Sequence, residues 1–327
     1  MVKVDRWGLF KNLFRYYSTS LFNIERKNDN IYDIFDRLKK ASIYATLPRA
    51  GSPISLQSAT YFDGTYLHVW YGSSPTGNSA EEEIYYTRAA KPFTEWTTPK
   101  VVIHRPTGWG IRDPTSLVTK DYVYLFIQAF DGTMFRSMRL YKVPRTADFS
   151  DPASYTYVGV IYDRGGAGEF DGAWAASPTP INIGGLTIVL YEAMDAGGNY
   201  TIGILYSEDI EKIPYTRLGT LNSLAGTPIR NPTATNRAIV PCNWLSPNCF
   251  FMHYRDETGW HIGAVVGDVF ANRFALVYPL DPSDGHVGHN NVAVVGIIDD
   301  YLYLLMQAWT TWPPDLRLYR IPVSDLL

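Results

Sequence analysis

The chain has 327 residues, 46% of them hydrophobic and 15% aromatic, with 24 Tyr and 9 Trp, so it can bury a large core. A formal net charge of −3 leaves no field able to gather nucleic acid, and no apolar run is long enough for a membrane-spanning helix. The 26 Gly and 21 Pro are spread along the chain, a mixture that suits many short strands joined by turns.

In chain order, the first segment carries Trp7, Phe10, Phe14 and Tyr17 at helical spacing beside Lys3, Arg6, Lys11 and Arg15. It reads as a helix folded back on the domain, or as an arm that lies on a membrane surface or docks a partner or a second copy. It lacks the continuous apolar stretch and small-residue cleavage site of a secretory signal, so a cytoplasmic location, or association with a virion or cell surface, is expected. Ile31, Ile34, Phe35 and Leu38, preceded by Asn30 as a cap, predict a second helix. Residues 1–45 are assigned to this extension and 46–327 to a single all-β domain.

That domain is organised as repeats with a period of about 55–65 residues. The clearest unit, IRDPTSLVTKDYVYLFIQAFD over 111–131, has an Arg-Asp-Pro-Thr entry, an apolar strand, a turn, an aromatic strand and a polar exit. Related units occupy 51–72, 176–195, 229–256 and 285–309. After four of them come two further strand-like stretches, such as EEEIYYTRA with KVVIHR and MFRSMRLYKVP with YTYVGVIYD. Four strands per repeat without an intervening helix is the content of a propeller blade. The predicted fold is therefore a five-bladed β-propeller with a short N-terminal helical extension. Only LRLYRIPVSDLL remains for the end of the last blade, so a strand at Ile43–Leu47 is expected to complete it.

In such a ring the first strands enter, and the antiparallel second strands exit, at one face. The entries deliver Ser52 or Ser55, Arg112 with Asp113, Ser177, Arg230 with Asn231, and His289 with Asn290 and Asn291. The exits deliver Tyr71, Gln128, Glu192, His253 and Gln307. These groups donate and accept hydrogen bonds as a polyhydroxylated ligand requires. Trp109, Trp174, Trp309 and Trp312 in neighbouring loops are available either to stack on such a ligand or for packing.

Over residues from about 50 to 327 the pattern resembles the five-bladed propeller glycoside hydrolases of family 43 and its relatives in families 32, 62, 68, 117 and 130. The resemblance rests on Arg112-Asp113-Pro114 at the second entry and Gly288-His289 at the fifth, together with the order and spacing of the repeats. It implies a carbohydrate ligand in a central funnel, carboxylate acid–base chemistry, no required cofactor, and a metal ion or water in the central channel approached by His289. A structural calcium ion there is the expectation that follows.

The sequence departs from the family pattern twice. Serine stands at the first entry where the family has an Asp base or nucleophile, and Ser177 stands near where it has a Glu acid. Asp113 alone transfers cleanly. Because Arg112 beside it favours the ionised form, Asp113 suits a base or a positioning carboxylate. Glycoside cleavage needs two carboxyl groups, and Glu192 at the third exit and Glu169 in GGAGEFDGAW are the replacement candidates, with Asp171 nearby as a ligand contact. If no second carboxylate serves, the chain is a glycan-binding or structural module. Cys242 and Cys249 match no metal site; they read as buried thiols or as a pair able to bridge.

Overall fold

Stretches rich in β-branched and aromatic residues form strands, and hardly any other regular element is present among the described residues. The computed structural model describes residues 39–51, 57–183, 185–220, 237–241, 249–255, 260–268, 273–277, 282–286, 288–309 and 314–325. The two helices expected before residue 39 lie outside these.

The first strand, β1, spans Ser42–Thr46. One sheet is built from β2 (Ser58–Phe62), β3 (Tyr66–Ser73), β4 (Glu83–Ala90) and β5 (Lys100–Ile103). A second contains β6 (Gly110–Val118), β7 (Tyr122–Phe130), β8 (Phe135–Pro144) and β9 (Thr156–Asp163). The third contains β10 (Trp174–Ile183), β11 (Leu186–Met194), β12 (Tyr200–Ser207) and β13 (Thr216–Thr220). The fourth contains β14 (Arg237–Pro241), β15 (Cys249–Arg255), β16 (Trp260–Asp268) and β17 (Arg273–Val277). The fifth is made of β18 (Gly288–Ile298), β19 (Tyr301–Trp309) and β20 (Asp315–Pro322), with β1 added beside β20. All neighbouring strands are antiparallel, and the first strands of the sheets touch one another in the cyclic order β2, β6, β10, β14, β18 and back to β2. This is an all-β propeller arrangement.

Both faces of each blade are covered by a neighbouring blade, which is why the middle strands read as continuous apolar runs. Successive side chains of a strand point to opposite faces. Thus Leu67, Val69 and Tyr71 of β3 pack with Leu305 and Leu318 of the fifth sheet, while Trp70 between them packs with Leu125 and Ile127 of the second. On β7, Leu125 and Ile127 face the first sheet, and Tyr124 and Phe126 pack with Val189 and Tyr191 of the third. Each such fully buried side chain stabilises the fold by about 1.5–3 kcal/mol.

The inner strands are stitched to one another by hydroxyls. Ser116 Oγ donates to the Thr60 carbonyl at 2.8 Å, joining β6 to β2, and Thr115 Oγ1 donates to the Pro178 carbonyl at 2.5 Å, joining β6 to β10. Between these strands lies a cavity of about 230 Å³ lined by residues that include Gln57, Thr115, Thr179, Ile181 and Val292. At the periphery, Ile43 lies opposite Tyr319 and Thr46 opposite Arg317, and the Leu47 N–H donates to the Leu316 carbonyl at 2.9 Å. The strand expected at Ile43–Leu47 therefore does complete the last sheet.

Candidate functional site

The entries of the second and third sheets share one backbone device. Pairing of β6 with β7 slips between Arg112 and Thr115, and pairing of β10 with β11 slips between Ala176 and Thr179, so each inner strand bulges at an equivalent place. Asp113 (φ 49°) and Ser177 (φ 51°) occupy these bulges in the left-handed region, each followed by a proline. A non-glycine residue held there costs roughly 1–3 kcal/mol, and such strain concentrates where side chains have work to do. The two bulges re-aim Asp113 and Ser177 out of the regular pleat.

Around Asp113 the structure gathers a charged cluster. Arg112 is buried, with Nη1 3.4 Å from Glu82 Oε1 and Nε 3.7 Å from Asp113 Oδ2. The Gln57 backbone N–H donates to Asp113 Oδ1 at 3.0 Å, bringing the start of the first sheet to the same spot. Burial opposes the charge on Arg112, but the carboxylates of Glu82, Asp113 and Glu192 outweigh it and hold the guanidinium firmly protonated. One cation thus faces three carboxyl groups. Burial pushes the Glu82 carboxyl up to about 8 against the pull of Arg112, with the charge of Asp113 adding to the rise. Glu82 therefore favours its protonated form at neutral pH.

The next layer belongs to the third sheet. Gln128, directly across the ladder from Arg112, accepts the Ser177 backbone N–H at 2.6 Å through Oε1. Glu192, across from Ala176, accepts from Ser177 Oγ at 3.4 Å through Oε2. Gln128 and Glu192 therefore stand at matching positions of neighbouring blades, and Gln307 holds the corresponding place in the fifth sheet opposite Asn290. All three are buried.

Glu169 and Asp171 are engaged elsewhere. Asp171 is fully buried and accepts from the hydroxyls of Tyr162 (2.6 Å) and Tyr191 (2.7 Å) and from Arg217 Nη1 (2.9 Å), while Glu169, partly exposed, pairs with Arg217 Nη2. Tyr191 and Glu192 are consecutive in β11, so Asp171 binds on the face of the strand opposite the one that carries Glu192. The loop is pinned to β13 through Arg217, and a Cβ at Gly165 would collide with the carboxylates of Asp171 and Glu169.

Trp109 is half-buried and lies under the Arg139 guanidinium, 5.2 Å from its ring centre. Trp174 packs edge-on against Phe135 at 4.8 Å and Tyr200 at 5.5 Å. Tyr71 donates its hydroxyl to the Pro48 carbonyl at 3.1 Å. Arg230, Asn231, Ser52, Ser55, Trp312 and Cys242 lie outside the described residues, as do the side chains of His253, Asn290, Trp309 and Cys249.

Two participants escape sequence reasoning. Glu82 sits in the run Glu81-Glu82-Glu83, which looks like a solvated turn, and Gln57 follows the serines singled out at the first entry. Only Glu82 of the three glutamates is buried completely: Glu81 accepts from Thr76 Oγ1 at 2.6 Å, and Glu83 lies 3.0 Å from His104 Nδ1. A signal existed in the apolar flank, since Ile84 and Tyr86 mark the face that Glu82 shares.

At the fifth entry, His289 is buried with Nε2 3.1 Å from Asp284 Oδ2, and His286 Nδ1 lies 3.0 Å from Asp284 Oδ1. Tyr319 donates its hydroxyl to Asp284 Oδ2 at 2.5 Å, and the His286 backbone N–H donates to Oδ1 at 3.0 Å. Burial would raise Asp284, but these hydrogen bonds outweigh it and hold the carboxyl well below its ordinary range. The potential ligand atoms of Asp284, His286 and His289 all lie within 4.8 Å of one another.

No family model and no curated protein matches this sequence. Among solved structures, the chain is similar to Zg3597, a family 117 glycoside hydrolase of the marine bacterium Zobellia galactanivorans, with a TM-score of 0.59 at 15% identity, covering 87% of this chain and 91% of that one. A thermostable family 43 glycoside hydrolase gives 0.59 at 12% identity, covering 85% and 92%. An α-L-arabinofuranosidase from Lactobacillus brevis gives 0.54 at 15% identity, covering 83% and 91%. The chain has the β-propeller fold of glycoside hydrolases. At these identities the likeness is one of fold. Among the described residues, no helix is long and apolar enough to cross a membrane.

Proposed function

We propose that this chain is a five-bladed propeller that binds a carbohydrate at the entry end of its central channel and cleaves a glycosidic bond by carboxylate chemistry. The observation that carries the reading is the gathering of Glu82, Asp113 and Glu192 around one buried arginine, from three segments distant in sequence. Five sheets whose first strands touch in a closed cycle support the ring. Hydrolysis requires a proton donor for the leaving oxygen and a carboxylate that activates water or attacks the anomeric carbon. Asp113, held by the Gln57 N–H beside Arg112, serves as base or substrate positioner. Glu192, set by Ser177, is the second carboxyl group. Glu82 is out of contact with solvent and positions Arg112. Gln128, Gln307 and His289, with Arg230, Asn231, His253 and Asn290, supply hydrogen bonds to sugar hydroxyls, and Trp109, Trp174 or Trp309 an apolar face. Glu169 and Asp171, tied to Arg217, have no part in this reading.

The test is turnover of a broad glycan panel by wild type, Asp113→Asn and Glu192→Gln. A substrate is expected, with kcat/KM falling by about 10²–10⁴ in each variant while the thermal midpoint stays close to that of wild type. Wild type inert on the whole panel overturns the catalytic reading.

A second reading, a glycan-binding or assembly module without turnover, is favoured by Ser177 at the bulge where the family resemblance implies a Glu nearby. It requires oligosaccharide binding by the inert wild type.

A further inference from the structure

We infer that Asp284, His286 and His289 form a binding site for a zinc-class transition-metal ion at the entry of β18. Asp284 Oδ1 lies 3.0 Å from His286 Nδ1, and Asp284 Oδ2 lies 3.1 Å from His289 Nε2. Ligand atoms on a tetrahedral ion with bonds of about 2.0–2.2 Å stand roughly 3.4 Å apart. The two carboxylate–imidazole separations are thus already close to what a shared ion imposes, and all three ligand atoms lie within 4.8 Å of one another.

A hydrogen bond between His289 Nε2 and Asp284 Oδ2 accounts for one of these two approaches, but not for that of His286. His286 Nδ1 is buried and, despite its 3.0 Å approach to the carboxylate, is not aligned for a hydrogen bond with it or with any other group. That leaves a buried imidazole nitrogen beside the carboxylate with its electron pair available to an ion. The carboxylate is meanwhile held in place: the buried Tyr319 donates to Oδ2 at 2.5 Å, and the His286 backbone N–H donates to Oδ1 at 3.0 Å. Gly285, at a φ of 84°, supplies the left-handed turn that brings this N–H back to Asp284. Partners that hold a ligand without touching the ion are the usual accompaniment of a metal site.

The donor set selects the ion. Two imidazole nitrogens and one carboxylate suit zinc and its transition-metal neighbours and leave a fourth position for water or a ligand hydroxyl. Calcium demands six to eight oxygens, which this cluster does not offer. The site therefore differs in chemistry from the channel calcium that the family resemblance suggests, and it does not depend on glycan turnover.

The experiment uses the full chain, stripped with chelator and titrated by calorimetry with Zn²⁺ alone, then with Co²⁺ for its visible spectrum. One equivalent per chain and a low-coordinate Co²⁺ spectrum are expected, both unaffected by excess Ca²⁺. His286→Ala and Asp284→Asn should abolish the stoichiometric step. Tyr319→Phe, which removes no ligand, should weaken binding by about 10–100-fold. Circular dichroism melts verify that each variant is folded; should either ligand variant unfold, Tyr319→Phe carries the test. Absence of stoichiometric zinc binding in wild type, displacement of zinc by calcium, or an isotherm unchanged in the folded variants overturns the assignment. A protein inert on glycans that still binds zinc this way separates the inference from the proposed hydrolase activity.

Discussion

Glu82 shows how a single side chain can set the pH response of the whole cluster. Its folded-state value, about 8, stands above its ordinary 4.5 because burial strips the carboxylate of water faster than Arg112 can replace it. For a raised group the stabilisation is complete below the unfolded value and is lost as pH rises through the folded one. Wild type should therefore lose stability between about pH 5 and pH 9, by an amount on the order of a few kcal/mol. Glu82→Gln keeps the shape and remains neutral throughout, so its urea midpoint should fall less over the same window. Parallel profiles for the two proteins would mean that Glu82 is ionised in the fold.

At the level of elements, the loop before β10 offers a contrast between two acids three positions or fewer from one another. Asp171 is bound inside the protein by two tyrosine hydroxyls and Arg217, whereas Glu169 holds the same arginine at the surface. Removing the buried charge, Asp171→Asn, should cost about 3–5 kcal/mol because Arg217 loses its inner partner. Glu169→Gln should cost far less, as loss of an exposed pair does. Chemical denaturation of the two variants measures both. Turnover lost in Glu169→Gln at unchanged stability would instead return that residue to the reaction. The same contrast explains what the sequence could and could not reveal. The strand pairs were legible because the apolar and aromatic runs and the Gly or Asp turns are local, and β6 with β7 or β10 with β11 fall where the repeats put them. Arg112, Asp113, Gln128 and Glu192 were legible because ladder geometry carries entry and exit to one end. Glu82 was not, since its burial depends on Arg112 in the next blade, and the fate of Asp171 depends on Arg217, which comes 46 residues later.

At the scale of the whole molecule, the ring is closed by a strand from the opposite end of the chain. Where β1 lies against β20, Tyr44 stacks edge-on against Tyr303 at 5.8 Å, the Arg320 guanidinium lies 4.0 Å over the Tyr44 ring, and Leu47 is buried. Without β1, the row of backbone groups on β20 would become an open edge, a template for pairing with another chain. Deletion of residues 1–47 should then cost at least about 3 kcal/mol, lower the thermal midpoint by roughly 4–5 °C or more, and promote association through β20. Deletion of residues 1–30 leaves every one of these contacts in place and should leave the midpoint where it is, while a partner or second copy held by that arm would be released and seen as a smaller hydrodynamic radius. If the shorter deletion destabilised the protein as much as the longer one, the first thirty residues, and not the β1–β20 pairing, would hold the ring together.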